Sequence, residues 1–248
     1  MTHRQPYLSI VLPAYNEQDR LPATLDAWMA YLSEQHYIWE IVISDDGSSD
    51  RTSSVAMVRA VSDPRIIVVK APENQGKGAA VRRGIVAARG EVVLFSDADL
   101  AVPPHFTADA LAVVEAGADL AVGQRSLREY ARTERSVGRL LAGAAVQVGR
   151  RVLGLTFVAD SQCGFKALRR EAALDIVRRA TVNGFAFDIE LLFLARRSGA
   201  TVVPFPVDVD FRSGSTFDVA KHLPSLLRDI VRIRLNALRG RYAVGINP

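Results

Sequence analysis

The sequence predicts an α/β protein: an open, mostly parallel sheet of Rossmann type with helices on both faces, followed by a C-terminal amphipathic helix. Three observations carry this expectation. Short apolar runs of strand length alternate with longer segments of helical period through the first half of the chain. Polar, acidic and glycine-rich residues gather directly after those runs, at the carboxyl ends where open α/β sheets bind their ligands. Finally, residues 218–238 follow a helical period and carry a dense set of basic side chains.

Taken in order, LSIVLP (8–13), EIVISD (40–45), RIIVVK (65–70), EVVLFSD (91–97) and DLAVG (119–123) read as five buried strands. Such β-rich runs, unbroken by polar alternation, fit parallel strands covered on both faces. Helices are expected near 20–33, 52–61 and 77–88 between them. The second half changes character. Residues 136–153 read as a helix with an apolar stripe (Leu140, Leu141, Ala144, Val148), 161–168 as a turn and strand, 170–180 and 189–198 as helices, and 201–211 as extended. In the last helix Leu223, Leu226, Leu227, Ile230 and Leu238 fall roughly on one face. The expected division is one α/β unit over 1–211, in halves 1–123 and 124–211, and a basic segment 212–248.

The bulk properties set outer bounds. With 248 residues, 49% hydrophobic and 23% charged, the chain has the composition of an ordinary globular protein able to bury its own core. Its single cysteine, Cys163, excludes an internal disulfide and agrees with a reducing cytoplasm. MTHRQPY runs straight into the first strand with no signal-like core, and no apolar stretch reaches the ~20 residues of a membrane span, so a soluble or peripheral protein is expected. The net charge of +4 is unevenly placed: residues 212–248 hold seven basic and two acidic side chains, +5, which leaves −1 for the rest. A segment of that kind suits an anionic lipid, phosphate or nucleic acid.

Four consecutive strand ends carry the polar signals: PAYNE (13–17), SDDGSSD (44–50), NQGKG (74–78) and SDADL (96–100). Asp97 and Asp99, one residue apart after a buried strand, can both face one small site, and hard oxygen ligands suit magnesium or manganese bridging a diphosphate. The alternative is an acid-rich helix N-terminus. An acid at the second strand end, Asp45 or Asp46, can accept hydrogen bonds from a ribose or a uracil ring, or simply form a turn and helix cap. A dehydrogenase is disfavoured because the first loop reads PAYNEQD rather than G-x-G-x-x-G. Gly76-Lys77-Gly78 lacks the Ser or Thr of a P-loop and reads as a tight loop opening a helix, whose Lys77 and free N–H groups can meet a nucleotide. Arg125, Arg128, Arg132 and Arg135 surround a loop suited to an anionic acceptor. His3, His36, His105 and His222 have no metal-ligand spacing.

With these residues assembled, the chain resembles family-two glycosyltransferases over nearly its whole length. VLPAYNE, SDDGSSD, NQGKGAAVRRG and LFSDADL occur in that order, and DSQCGFKAL (160–168) with GFAFDIELLFLA (184–195) resembles the dolichyl- or polyprenyl-phosphate glucosyltransferase branch. The resemblance implies a GT-A fold, an inverting transfer and a UDP-sugar donor, with UDP-glucose expected. It implies that 1–123 is the nucleotide-sugar half, with Pro13, Tyr15, Glu17 and Asp46 lining the uridine pocket. Lys77 would approach the nucleotide, and Asp97 and Asp99 would reach ribose and the divalent metal (Mg2+ or Mn2+). A lipid-phosphate acceptor, and an anionic membrane surface on the cytoplasmic side, are the expected partners; nucleic acid is not.

The acceptor class decides what else the site needs. A phosphate monoester is already anionic near neutral pH and needs only positive groups to hold it in line, Arg125 among them. A hydroxyl needs a carboxylate to take its proton; Asp188 is then the first candidate, with an N-cap as its alternative role, and Asp160 the reserve.

Overall fold

The computed structural model describes residues 5–125, 147–149, 151–154, 158, 160–209 and 219–243, with the backbone alone for 219–222. Seven strands are present among them: β1 (Leu8–Ala14), β2 (Trp39–Asp45), β3 (Ile66–Lys70), β4 (Val92–Ser96), β5 (Leu120–Arg125), β6 (Phe165–Arg169) and β7 (Val202–Val207). They form one sheet in the order β3-β2-β1-β4-β6-β5-β7. β1, β2, β3 and β4 pair in parallel, as do β5 and β7, whereas β6 runs antiparallel to both β4 and β5. The expected boundary at 123 therefore falls inside β5, and the second half of the chain completes the sheet begun by the first. β7 closes one edge with Pro204 and Pro206 exposed, which denies that edge two backbone donors and discourages further pairing.

The α-helices given in full among the described residues are α1 (Leu21–Ser33), α2 (Thr52–Ser62), α3 (Lys77–Ala87), α4 (Thr107–Glu115), α5 (Arg170–Arg179), α6 (Phe187–Arg197) and α7 (Val219–Leu238). The strand side chains alternate between two cores. Val11 of β1 joins Val81 and Ile85 of α3, Ile176 of α5, Leu191 of α6 and Ile230 of α7 on one face. Ile10 and Leu12 join Leu25 and Trp28 of α1, Ala56 of α2 and Leu111 of α4 on the other. Burial on both sides explains why β1 and β2 read as continuous apolar runs.

Two expectations need correction or restriction. Of the helix expected at 136–153, Leu140, Leu141 and Ala144 lie outside the described residues, as do Arg128, Arg132 and Arg135; residues 147–149 and 151–152 are helical. The single apolar face expected for α7 is two faces. Leu226 and Ile230 are buried against the core, whereas Leu227 and Leu238 are exposed. The hundred-degree step per residue sends 226 and 227 to different sides, so a leucine-rich helix can pack through one stripe and expose another.

Candidate active site

The first two strand ends are stitched into one surface. Asn16, at a positive φ of 54°, donates its N–H to Ser48 Oγ at 2.9 Å, and its side-chain Oδ1 accepts the Ser49 N–H at 2.9 Å. Glu17 N–H donates to Thr52 Oγ1 (2.7 Å), and Asp50 Oδ1 accepts both the N–H and hydroxyl of Thr52. Serines and acids at turns satisfy backbone donors in this way. Tyr15 stands 45% exposed above this surface, and Pro13 is half-buried beneath it. Glu17 is held by Arg20 through Nε–Oε2 at 2.5 Å and Nη2–Oε1 at 2.7 Å. Burial nevertheless pushes its carboxyl above the ordinary range, against the pull of Arg20 and with help from nearby Asp99 and Asp97.

β4 delivers the acid pair. Ala98 is buried and its carbonyl accepts the Thr24 hydroxyl of α1 at 2.5 Å, whereas Asp97 and Asp99 on either side are half-buried. Asp97 Oδ1 meets the Lys77 ammonium at 2.8 Å, and Asp99 Oδ1 accepts the Ala101 N–H at 3.0 Å. Among the described residues the Oδ2 atoms of both carboxylates are uncommitted. No group of three or more His, Cys, Asp or Glu among the described residues is arranged to hold a metal alone. Two carboxylates one residue apart at the end of β4 are nonetheless the donor set that magnesium and manganese use when substrate phosphates and water complete the shell. The residues present fit such a cation.

Behind the pair runs a chain of alternating charges. Lys77 also lies 3.6 Å from Asp188 Oδ2, and Asp188 Oδ1 contacts the Lys166 ammonium at 2.6 Å. Lys166 is fully buried in β6, donates to the Cys163 carbonyl and sits 5.3 Å from the Phe95 ring centroid. Burial opposes the charge on Lys77, but Asp97 and Asp188 outweigh it and its pKa rises. Burial likewise raises the Asp97 carboxyl, with Lys77 pulling the other way. Lys77 is the first residue of α3, where a cation opposes the helix dipole. Its acidic partners explain why a lysine is tolerated there.

The residues expected to act as bases are both taken. Asp188 lies between two ammonium groups, 2% exposed, and Asp160 forms a two-point ion pair with Arg125 (Nε–Oδ2 2.5 Å, Nη2–Oδ1 3.0 Å). Arg125 is therefore a partner of Asp160 here. Asp46 is equally committed: Oδ2 accepts the Gln75 and Gly76 N–H groups at 3.0 and 2.7 Å, and Oδ1 meets Arg83 Nη2 at 3.0 Å. The expectation that the glycine loop offers free N–H groups needs correction. Gly78 N–H and Ala79 N–H both donate to the Asn183 carbonyl, at 2.7 and 3.3 Å. Gly76, at φ 105°, lies so close that a Cβ would stand 2.5 Å from that same oxygen. Tertiary packing has consumed the donors that the sequence left open.

Several residues of the site escaped the sequence reading. Lys166 is a lone cation between Phe165 and Ala167 in a buried strand, and Glu190 is the second acid, after Asp188, within FDIELLFLA; a charge inside an apolar run is the signal in each case. Glu190 is fully buried and accepts the Thr181 and Val182 N–H groups, the Thr181 hydroxyl and the Tyr242 hydroxyl. Asp45 rather than Asp46 carries the unpartnered buried oxygen, Oδ2, and Ser161 Oγ and Gln162 Nε2 are unpartnered in the segment before β6. Buried polar atoms without partners are uncommon in native folds and mark places where a ligand or water completes the bonding. Cys163 is not a nucleophile candidate: burial pushes its thiol up to about 11.

The family model described as glycosyl transferase family 2 matches residues 9–177. A dolichyl-phosphate beta-glucosyltransferase of Trichomonas vaginalis is 34% identical over 246 residues, 94% of this chain and 75% of that one. The enzymes of that name from Saccharomyces cerevisiae and Homo sapiens are each 31% identical, covering 95% of this chain and 76% and 77% of theirs. Among solved structures, glucosyl-3-phosphoglycerate synthase from Mycobacterium tuberculosis, in complex with Mn2+, UDP and glucosyl-3-phosphoglycerate, aligns with a TM-score of 0.65 at 22% identity. It covers 98% of this chain and 82% of that one, a likeness of fold. With the family model covering most of the chain and relatives above 30% identity along nearly all of it, the chain belongs to glycosyl transferase family 2.

Proposed function

We propose that this glycosyltransferase moves glucose from UDP-glucose to a dolichyl-type polyprenyl phosphate, with inversion, at the cytoplasmic face of a membrane. The names of its relatives supply the acceptor class and sugar. The solved neighbour with bound UDP-glucose and Mn2+ supplies the donor and metal class. The observation in this chain that carries the choice of acceptor is the state of its acids. Asp188 is held by Lys77 and Lys166, and Asp160 by Arg125, so neither is placed to take a proton from a hydroxyl. A phosphate monoester, whose second pKa is about 6, arrives largely deprotonated and needs no such base.

The chain's own residues then have defined work. Asp97 and Asp99 would hold the divalent cation, which when bound supplies positive charge to the leaving diphosphate. Tyr15 and the surface formed by Asn16, Ser48 and Ser49 border the nucleoside position. Lys77 stands 2.8 Å from Asp97, within reach of the same diphosphate. The buried Lys166–Asp188 pair fixes α6 against β6 and so fixes the position of Lys77.

The test is transfer of label from radiolabelled UDP-glucose to polyprenyl phosphate, read by solvent partition. Lipid-soluble product that requires Mg2+ or Mn2+ is expected, with Asp99→Ala folded yet slower by about 100-fold or more, the several kcal/mol of metal assistance. Label moving only to a hydroxyl acceptor, or an Asp99→Ala variant as fast as the parent in metal-free buffer, would overturn the proposal.

A further inference from the structure

We propose that the outer face of α7 is a docking surface for an anionic lipid bilayer, holding the mouth of the active site against the membrane; this rests on the lipid-phosphate reading above. α7 carries two apolar stripes. The inner one, Leu226, Ile230 and Ile233, is buried against the core. The outer one is Leu227, Val231, Leu235 and Leu238, exposed by 43%, 57%, 42% and 69%. Steps of four, four and three residues place these side chains in one line along the helix. Lone surface hydrophobes need no explanation, but an exposed line of them does.

The charges beside that line are of one sign. At one hundred degrees per residue Arg228, Arg232 and Arg239 lie along one flank and Arg234 along the other, all exposed. The one acid in this stretch, Asp229, is turned away: its Oδ2 lies 3.4 Å from where a Gly184 Cβ would stand. An apolar line between arginines, with the acid facing inward, matches the boundary between acyl chains and anionic headgroups. A protein partner would need an apolar groove walled by acids on both sides.

The placement joins this face to the chemistry. Gly184 adjoins Asn183, whose carbonyl accepts the Gly78 and Ala79 N–H groups of α3, next to Lys77. The first turns of the outer stripe are thus one loop away from the site. The helix is also held in place, since Tyr242 donates to Glu190 at 2.6 Å and Asn236 to Thr181 Oγ1 at 3.1 Å. A fixed stripe beside the site mouth would present an acceptor phosphate at the headgroup level while its chain stays in the bilayer.

Co-sedimentation of the full chain with phosphatidylcholine vesicles, with and without phosphatidylserine, tests the proposal. Binding to the anionic vesicles alone is expected, falling as salt rises. The pairs Leu227→Glu with Val231→Glu and Arg232→Glu with Arg239→Glu should each weaken it at least tenfold while leaving calorimetric binding of UDP unchanged. Turnover of vesicle-embedded polyprenyl phosphate should fall in parallel, and turnover of a water-soluble short-chain isoprenyl phosphate should not. Failure to sediment with anionic vesicles, or sedimentation indifferent to both pairs, would overturn the docking face. So would a concentration-dependent dimer broken by the Leu227 and Val231 pair, which would assign the stripe to a second copy. A parent protein that binds vesicles but glucosylates neither phosphate would instead overturn the acceptor reading alone.

Discussion

Gly164 shows how one residue sets the acid pair. Its carbonyl accepts the Asp97 N–H at 3.1 Å, and a Cβ placed there would stand 2.0 Å from Asp97 Oδ2. Any side chain must push the carboxylate from the rim, and displacement by about 1 Å in a reacting site can cost on the order of 100-fold in rate. Gly164→Ala is therefore expected to fold, to bind Mn2+ more weakly in a nucleotide-free titration, and to lose about that factor in turnover. Unchanged metal affinity and turnover would show that Asp97 has room to spare. Asp45 and Asp46 make the complementary point. Neighbours in sequence, one is left with an unpartnered oxygen and the other is spent on Gln75, Gly76 and Arg83. The motif placed an acid at this strand end and the resemblance chose Asp46, but which oxygen stays open is decided by which loop folds over it, and that leaves Asp45 Oδ2 without a partner.

The helices show a second kind of control. α6 offers Asp188 to the site and Glu190, two residues on, to the C-terminal segment. Glu190 gathers four donors, and the Tyr242 hydroxyl is the one that reaches it from beyond α7. Its acceptance by a carboxylate, after burial, pushes the Tyr242 phenol up to about 12, so the bond persists through the physiological range. Tyr242→Phe removes one charge-assisted hydrogen bond while leaving Glu190 three others. A loss of about 1.5–3 kcal/mol is expected, within the range for hydrogen bonds to charged groups. It should appear as a lower urea midpoint at constant slope. An unchanged midpoint would mean that the Tyr242 hydroxyl adds nothing to the hold that the apolar stripe and the Asn236–Thr181 bond already have on α7. That stripe, Leu226, Ile230 and Ile233, is what the helical period predicts for packing; the outer stripe shares its period, and only burial separates the two.

At the scale of the molecule, the site is assembled from four strand ends and from the segment leading into α6, so ligand binding is coupled to the whole sheet. A ligand that binds only the folded state stabilises it by about 2.7 kcal/mol at 100 times its dissociation constant. For a chain of this size that corresponds to an upward shift of about 5–10 °C in melting temperature. UDP with Mn2+ is expected to produce such a shift, and GDP with Mn2+ a smaller one. A larger shift with GDP would move the donor reading to guanosine sugars, and Asp99→Ala should abolish the contribution of the metal.

By itself the sequence determined the sheet, the strand ends that carry polar residues, the Asp97–Asp99 pair and the family, because these depend on local period and on short motifs. The tertiary structure decided what each polar group is free to do. It set Lys77 between Asp97 and Asp188, paired Asp160 with Arg125, and spent the Gly78 and Ala79 N–H groups on Asn183. It also ran β6 antiparallel between β4 and β5, which brings Lys166 beneath the site. Ion pairs and hydrogen bonds between residues far apart in the chain leave no periodic trace in the sequence. A buried polar atom takes whichever partner the packing brings within 3 Å, and the cost of leaving it unpaired enforces that choice.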